Sequence, residues 1–476
     1  MELRNFIEGQ WAAPAHELSA DVCDASTGEV LFRQRGSSRQ QIEQAIRCAE
    51  VVHASAAWSS LAPTEKAEAL EGIASLIAAR AESIAVADAR CTGVILSLTT
   101  VVASICSAAF NAAAKLLRET DTGVAFDGPF GDVDVERLPL GPVAVIAPWN
   151  APSGILCHKL ASALAAGCPV IIKPSEWAPE SAQIITEAIS EAGLPVGLIQ
   201  LLHGDGQTGA ALVGDTRIAA VSFTGGLQGG RAVAAAAARD IKPAQLELGG
   251  NNPVVVLADA DINAAADGVV TGLTTLNGQW CRALGRLLVH QSCYDAMMEA
   301  VRSRLKTVRI GSALDADSAM GPVVHKGHLQ HIRDAIARYQ EKGAVAVAES
   351  ALPDLRGNFI APTLLTGLAS SDALEEIFGP VATVHTFDSD EEAIAQANET
   401  PFGLAAYVFG EEQHALAVAR RIRAGNIKIN AVSMLNLHPL APRPAWGLSG
   451  LGDEGVRETF EFFRGTRIIG VAGRPA

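Results

Sequence analysis

Two stretches near the start of the chain, Arg39–Ala54 and Thr64–Val86, carry apolar residues at i, i+3 and i+4 spacing and predict helices after an extended lead-in. From residue 141 the pattern changes. Short apolar runs alternate with helical periods: Val143–Ala147 then Ser153–Ala166, Val170–Ile172 then Pro179–Ala192, Leu198–Leu202 then Gln207–Val213, and Ile218–Phe223 then Leu227–Arg239. Gly167 and Gly193 follow the last periodic residue of two of these helices, where a left-handed cap favours glycine. Strand–helix alternation with short connections predicts a parallel sheet covered on both faces. After Gly250 the rhythm restarts with strand Pro253–Leu257, helix Ile262–Thr275, strand Leu287–His290 and helix Tyr294–Val308. A second α/β domain is therefore expected, with its boundary near residue 250.

Composition narrows the class. A chain of 476 residues has room for several domains, and 49 % apolar with 19 % charged residues is an ordinary globular mix, which excludes disordered and fibrous proteins. A net charge of −15 argues against a nucleic-acid or anionic-membrane partner. The eight cysteines include no C-x-x-C and no zinc-type spacing with histidine, so neither a disulfide framework nor a metal site is expected. Free thiols and an amino terminus without an apolar signal core point to the cytoplasm. Cys91–Ala114 is uncharged and long enough to span a bilayer, but seven Ser, Thr and Asn residues interrupt it, and a helix buried between domains is expected.

In sheets of this kind ligands bind beyond the carboxyl ends of the strands. The loops there are Pro148-Trp149-Asn150, Lys173-Pro174-Ser175-Glu176, Thr224-Gly225-Gly226 and Glu247-Leu248-Gly249-Gly250. Gly204-Asp205-Gly206-Gln207-Thr208-Gly209 fits G-x-G-x-x-G, yet the acidic residue expected about 20 positions on is missing, so a plain turn competes with a pyrophosphate cradle. Thr224-Gly225-Gly226 opens a helix and is an equally good phosphate site, or a turn that needs glycine for its geometry. Cys281 follows Gly278-Gln279-Trp280 and precedes Arg282, whose charge would favour a thiolate; an inert buried thiol is the alternative. Glu247, between leucines at a strand end, has the setting of a desolvated general base.

Taken together these segments resemble the aldehyde dehydrogenase superfamily. Pro148-Trp149-Asn150, Ile172–Glu176, Phe223-Thr224-Gly225, Glu247–Gly250, Gly278–Cys281 and Glu375–Pro380 look like six of its signature segments, in the family's order, with 34 positions between Glu247 and Cys281. Pro401–Leu404 and Ser449–Gly455 resemble two more, so the similarity covers essentially the whole chain.

The resemblance implies an α/β fold with a Rossmann-like parallel-sheet NAD domain (1–121 and 139–249), an α/β catalytic domain (250–458) and a small oligomerisation element (122–138 and 459–476). That element would combine a hairpin near Thr122–Arg137 with a terminal strand around Phe462–Val471 and build a homodimer or homotetramer. It implies NAD(P)-dependent oxidation of an aldehyde through a Cys281 thiohemiacetal and thioester, with Asn150 holding the oxyanion and Glu247 activating water. Lys159 and Glu454 match positions linked to proton relay, or form a structural ion pair. For the cofactor the resemblance marks Pro148, Trp149, Lys173, Ser175, Glu176, Phe223, Gly225, Gly226, Gly230, Leu248, Glu376 and Phe378. A carboxylate at Glu176 favours NAD and repels a 2′-phosphate, though Lys173 offsets some of that and NADP remains possible. Family pocket positions map onto Ile155, His158, Thr275, Trp280, Arg282 and the Met434–Leu437 stretch, including Leu435. Mostly apolar, they suit an apolar or aromatic aldehyde; a semialdehyde whose far carboxylate pairs with Arg282 is the alternative, and a non-catalytic binding protein a third reading.

Three positions depart from the family pattern. Gly226 replaces a frequent serine, Arg443-Pro444-Ala445-Trp446 replaces part of a glycine-rich stretch, and Lys428 occupies a spot usually apolar.

Overall fold

A computed structural model describes residues 2–120, 123–128 and 131–472. The helix Arg39–Ala54 forms as the periodicity predicts, closed by a reciprocal cap: the Ser38 hydroxyl accepts the Gln41 N–H at 3.1 Å and the Gln41 side chain accepts the Ser38 N–H at 3.0 Å. The single helix expected over 64–86 is instead two, Pro63–Ala78 and Ala81–Thr92. No Gly or Pro marks the break. The Arg80 guanidinium satisfies the end of the first piece by donating to the Leu76 carbonyl at 3.1 Å, and the long helix Leu96–Glu119 packs against both pieces. That long helix contains the uncharged segment. One face, with Val102, Cys106, Phe110 and Leu117, lies in the core against Pro152–Ala166, while Thr100, Ser104 and Ser107 return their hydroxyls to backbone carbonyls on the other. It is half-buried, packed on one face and exposed on the other, rather than the fully buried helix expected.

The alternating region folds into an eight-stranded sheet. Its parallel centre runs in the order Ile199–Leu201, Val170–Lys173, Val143–Ile146, Ala220–Thr224, Ala244–Glu247. The chain therefore starts in the middle, builds outward to one side, then returns and builds to the other. The reversal lies between Val143–Ile146 and Ala220–Thr224, and such a switch point leaves a crevice at the strand carboxyl ends. Gly167 closes the helix Pro152–Ala166 at φ +96°, in the left-handed conformation its position predicts.

The second sheet restarts after Gly250, in the order Val345–Ala348, Thr363–Thr366, Val381–Phe387, Leu284–His290, Asn252–Val256, Ala405–Phe409, Asn426–Ile429. All neighbours are parallel except the first pair. The strand expected at Leu287–His290 begins earlier, at Leu284, because Arg286 interrupts the apolar run without leaving the ladder. Its buried guanidinium donates to the Gln396 and Ala397 carbonyls at 2.7 and 2.9 Å, satisfying the end of the helix Asp390–Asn398.

Two late segments return to earlier parts of the chain. Gly450–Leu451 pairs antiparallel with Leu246 and Glu247 at the edge of the first sheet, which brings the buried Glu454 near Glu247. Arg464–Ala472 pairs along its whole length with Gly131–Pro139, which also pairs with Gly123–Phe126. This three-stranded sheet leaves Val124, Phe126, Ile468, Ile469 and Val471 exposed. Of the element expected at 122–138 and 459–476, residues 122, 129, 130 and 473–476 lie outside the described residues, as do 1 and 121 of the expected first domain.

Candidate active site

The crevice at the switch point is a cleft of about 530 Å³, within the usual size of ligand pockets. Pro148, Trp149, Lys173, Ser175, Glu176, Phe223, Gly225, Gly226, Leu248, Glu376 and Phe378 line it, as do Cys281, Glu247, Asn150 and Ile155. Gly230 does not. A Cβ there would meet the Leu248 methyl groups at 2.4 and 2.5 Å, so this glycine lets the helix Leu227–Arg239 close on the Leu248 loop.

The two glycine motifs differ in how their helices begin. Asp205 caps the helix Gly206–Gly214, its carboxylate accepting the Gln207 N–H at 2.9 Å; a negative charge already occupies that terminus, which favours the plain-turn reading of Gly204–Gly209. No side chain caps the helix that Gly226 opens, so its first N–H groups face the cleft and suit an anion. The fit to a dinucleotide rests on this uncapped terminus and on close packing. A Cβ on Gly249 would overlap the Glu376 carboxylate.

At one end of the cleft Lys173 Nζ pairs with Glu176 at 3.1 Å. At the other, Glu376 accepts the Gly250 N–H at 2.8 Å, and burial pushes its carboxyl up to about 7. Phe378 adopts φ +56°, with Trp149 edge-on to its ring at 5.5 Å. His328 Nε2 lies 2.8 Å from the Phe378 carbonyl and holds this turn; nothing in local sequence marked His328, which lies 50 residues away.

The Cys281 loop is pinned by amide side chains. Leu276, Asn277 and Gly278 have φ of +49°, +59° and +70° in succession. Asn277 donates to the Gly93 and Pro322 carbonyls at 2.8 Å each and accepts the Gly321 N–H at 2.9 Å. A Cβ on Gly278 would come within 2.4 Å of the Gly379 backbone, which explains the glycine. Asn150 Nδ2 donates to the Gln279 carbonyl at 2.9 Å, and Asn252 Nδ2 donates to the Cys281 and Ala283 carbonyls at 2.9 and 2.8 Å. Asn277 and Asn252 escaped the sequence reading, although an asparagine directly before a turn glycine is itself a signal of left-handed backbone.

The charges around the nucleophile are unequal. Glu247 is 5 % exposed and its Oε1 has no hydrogen-bond partner; burial, reinforced by Glu454, raises its carboxyl well above the ordinary range. Burial acts the same way on Glu454, but Arg443 at 3.2 Å and Lys159 at 3.3 Å outweigh it and keep Glu454 ionised. The Lys159 ammonium also donates to Ser222 Oγ at 2.8 Å, which donates to Gln245 at 2.9 Å. Burial lowers His158 to about 3, leaving a neutral ring 3.2 Å from Thr459 Oγ1. Burial pushes the Cys281 thiol up to about 12, and Arg282 only partly opposes it. Arg282 acts on the thiol in the direction expected, favouring the thiolate, but burial opposes it more strongly.

The pocket positions are dispersed. Ile155 lines the cleft beside Asn150. Thr275 is half-buried at the start of the Cys281 loop. Trp280 is 5 % exposed and packs in the core of the second sheet, and Leu435 is 52 % exposed, so neither gives the aromatic or apolar lining expected of it. Arg282 is buried, its Nη1 donating to Asn436 at 3.1 Å. Lys428 now has an account: its ammonium donates to the Ser433 and Leu435 carbonyls at 2.7 and 2.6 Å and ties down the loop beside Arg282. Arg443 and Pro444 pair antiparallel with Glu454 and Asp453, which turns the glycine-poor stretch into a support for Glu454.

The profile of the aldehyde dehydrogenase family matches residues 11–469, and the chain belongs to that family. It is 35 % identical to a betaine aldehyde dehydrogenase of Cereibacter sphaeroides over 99 % of this chain and 97 % of that protein. It is 32 % identical to the 2-hydroxymuconic semialdehyde dehydrogenase of a Pseudomonas sp., over 97 % and 98 % of the two chains. The crystal structure of betaine aldehyde dehydrogenase from Staphylococcus aureus in complex with NAD+ superimposes with a TM-score of 0.95 at 31 % identity, covering 99 % of this chain and 95 % of that one.

Proposed function

We propose that this protein oxidises an aldehyde to the carboxylic acid with NAD, releasing the acid by hydrolysis. The observation that supports it is a single cleft lined by Cys281, Glu247 and Asn150 together with Glu376 and Phe378. Lys173, Glu176, the uncapped helix start at Gly226, Glu376 and Phe378 would hold NAD, which supplies a hydride acceptor when bound. Glu176, already paired with Lys173, accepts ribose hydroxyls and disfavours a 2′-phosphate.

Cys281 begins as a thiol. Glu247, with an unpartnered oxygen and a raised pKa, takes the thiol proton as sulfur bonds to the aldehyde carbon. The resulting oxyanion accepts hydrogen bonds from the Cys281 N–H and from Asn150 Nδ2, which has a second hydrogen beyond the one given to Gln279. One such donor is worth about 2.7–4 kcal/mol in the transition state. Loss of hydride from the carbon leaves a thioester on Cys281. Glu247 gives up the thiol proton to solvent, then takes a proton from water as the water oxygen attacks the thioester carbon; the carbon–sulfur bond breaks, the acid leaves, and that second proton passes to the sulfur and restores the thiol. Lys159 and Glu454, with Ser222 and Gln245 behind them, hold the charge around Glu247 through these proton transfers.

Transfer of the acyl group to coenzyme A is the other outcome for a thioester; the buried base at Glu247 favours water. The three-stranded sheet with its exposed Val124, Phe126, Ile468 and Val471 supports a homodimer or homotetramer, and eight free cysteines support the cytoplasm. Residues 1–121 and 139–249 would bind the cofactor and 250–458 would carry the nucleophile. Formation of NADH from an aldehyde panel, with free acid as product, tests the function; NADH without acid, or acid only with coenzyme A, overturns it.

A further inference from the structure

The wall beside the nucleophile carries positive charge that the protein itself does not neutralise. Arg282, adjacent to Cys281, is 6 % exposed, and its guanidinium has one side-chain partner, the neutral Asn436 amide oxygen. Among the described residues no carboxylate lies within ion-pair distance of it, although a guanidinium offers five N–H donors in a fork that fits a carboxylate. Lys428 is 2 % exposed, and its ammonium rests on two neutral carbonyls. Across the site, Glu454 faces both Arg443 and Lys159, one carboxylate shared by two cations, and Arg443 Nε is buried without a partner. Two other carboxyls stand near the nucleophile, Glu247 and Glu376; burial holds both towards the neutral form, and Arg282, Lys159 and Arg443 all act on Glu247. A buried cation without a counter-ion is costly, and its field favours an anionic group placed beside it.

We infer that the aldehyde taken by this site carries a carboxylate that docks on Arg282, and that a quaternary ammonium aldehyde is rejected. The inference rests on the proposed aldehyde oxidation and names the substrate class of that same site. The carboxylate supplies the counter-ion that the Arg282–Lys428 wall lacks and fills the donors left open beside Asn436. A trimethylammonium group in the same place meets two cations, Arg282 and Lys428, that have no carboxylate paired to them among the described residues.

The test pairs each of succinic, glutaric and adipic semialdehyde with its methyl ester, which keeps the shape and removes the charge, and adds betaine aldehyde as the cationic probe. At least one acid should exceed its ester by 30-fold or more in kcat/KM, chiefly through KM, and betaine aldehyde should be the poorest substrate. In Arg282→Leu that acid-to-ester ratio should fall to within threefold of unity, whatever happens to the absolute rates, and Arg282→Lys should retain part of it. Acids no better than esters at every length, a preference for betaine aldehyde, or a ratio unchanged in Arg282→Leu would overturn the inference. Esters oxidised without preference for acids would leave aldehyde oxidation standing while the carboxylate assignment falls. No NADH from any aldehyde would bring down both.

Discussion

Asn150 Nδ2 donates a 2.9 Å hydrogen bond to the backbone carbonyl of Gln279, which ties the loop after the first strand of one sheet to the loop that carries Cys281 beside the other. One hydrogen of that amide fixes the two loops and the second is free for an oxyanion. Asn150→Ala removes both. We expect kcat to fall by about 10²–10³, with the Kd for NAD, measured by fluorescence titration, within threefold of the parent. A fall below tenfold would take the oxyanion from Asn150.

The pH dependence of turnover reports the carboxyl of Glu247. Burial raises its pKa in the folded protein, and the ionised form is the active base, so kcat rises with pH through a pKa above the ordinary carboxylate range. Lys159→Met deletes one of the cations that favour the ionised form of Glu247. The acid limb should then move to higher pH in a kcat profile, whereas a purely structural ion pair would change the rate without moving the limb.

Cofactor choice depends on the carboxylate that Lys173 holds at 3.1 Å. Glu176→Gln removes the charge that opposes a 2′-phosphate and leaves Lys173 to attract it. The ratio of kcat/KM for NADP to that for NAD should increase by tenfold or more, as measured by absorbance of the reduced cofactor. An unchanged ratio would move the discrimination elsewhere in the cleft.

Stability of the nucleophile loop rests on Asn277, whose side chain satisfies two carbonyls and one N–H while its own backbone is left-handed. Asn277→Ala should cost about 2–5 kcal/mol in a urea titration, because several buried polar groups lose their partners at once. Gly278→Ala, with φ +70° and the Gly379 backbone within 2.4 Å of the new Cβ, should be at least as severe.

The parallel centre of the first sheet was legible from the alternation of short apolar runs with helical periods, since that pattern is local; of the second sheet only the strands near 253–257 and 287–290 were. The long-range pairings were not. Nothing near Gly450 announces that it returns to Glu247, and nothing near Arg80 announces the break at 79–80, where its guanidinium caps the preceding turn. At the site, the loops bearing Asn150 and Glu247 could be found because strand ends carry chemistry in this architecture, whereas Cys281, which lies between a helix and the following strand, stood out only by its Gly and polar neighbours and the family resemblance. His328, Asn252 and Asn277 act by holding backbone groups distant in sequence, so their roles needed coordinates. The state of Cys281 shows the same limit. Its neighbour Arg282 was visible, but the burial that outweighs that charge depends on the folded surroundings of the thiol, partly packed against the core of the second sheet.

The central claim is a covalent cysteine route in which Glu247 is required for hydrolysis of the thioester. Stopped-flow absorbance of NADH formation by Glu247→Gln, mixed with excess NAD and aldehyde, tests it most directly. The account predicts a burst approaching one NADH per active site, slowed by loss of the base that deprotonates Cys281, followed by a steady state at least 10²-fold below the parent; Cys281→Ser should give no burst. A steady state equal to the parent's in Glu247→Gln, or a burst surviving in Cys281→Ser, would contradict it.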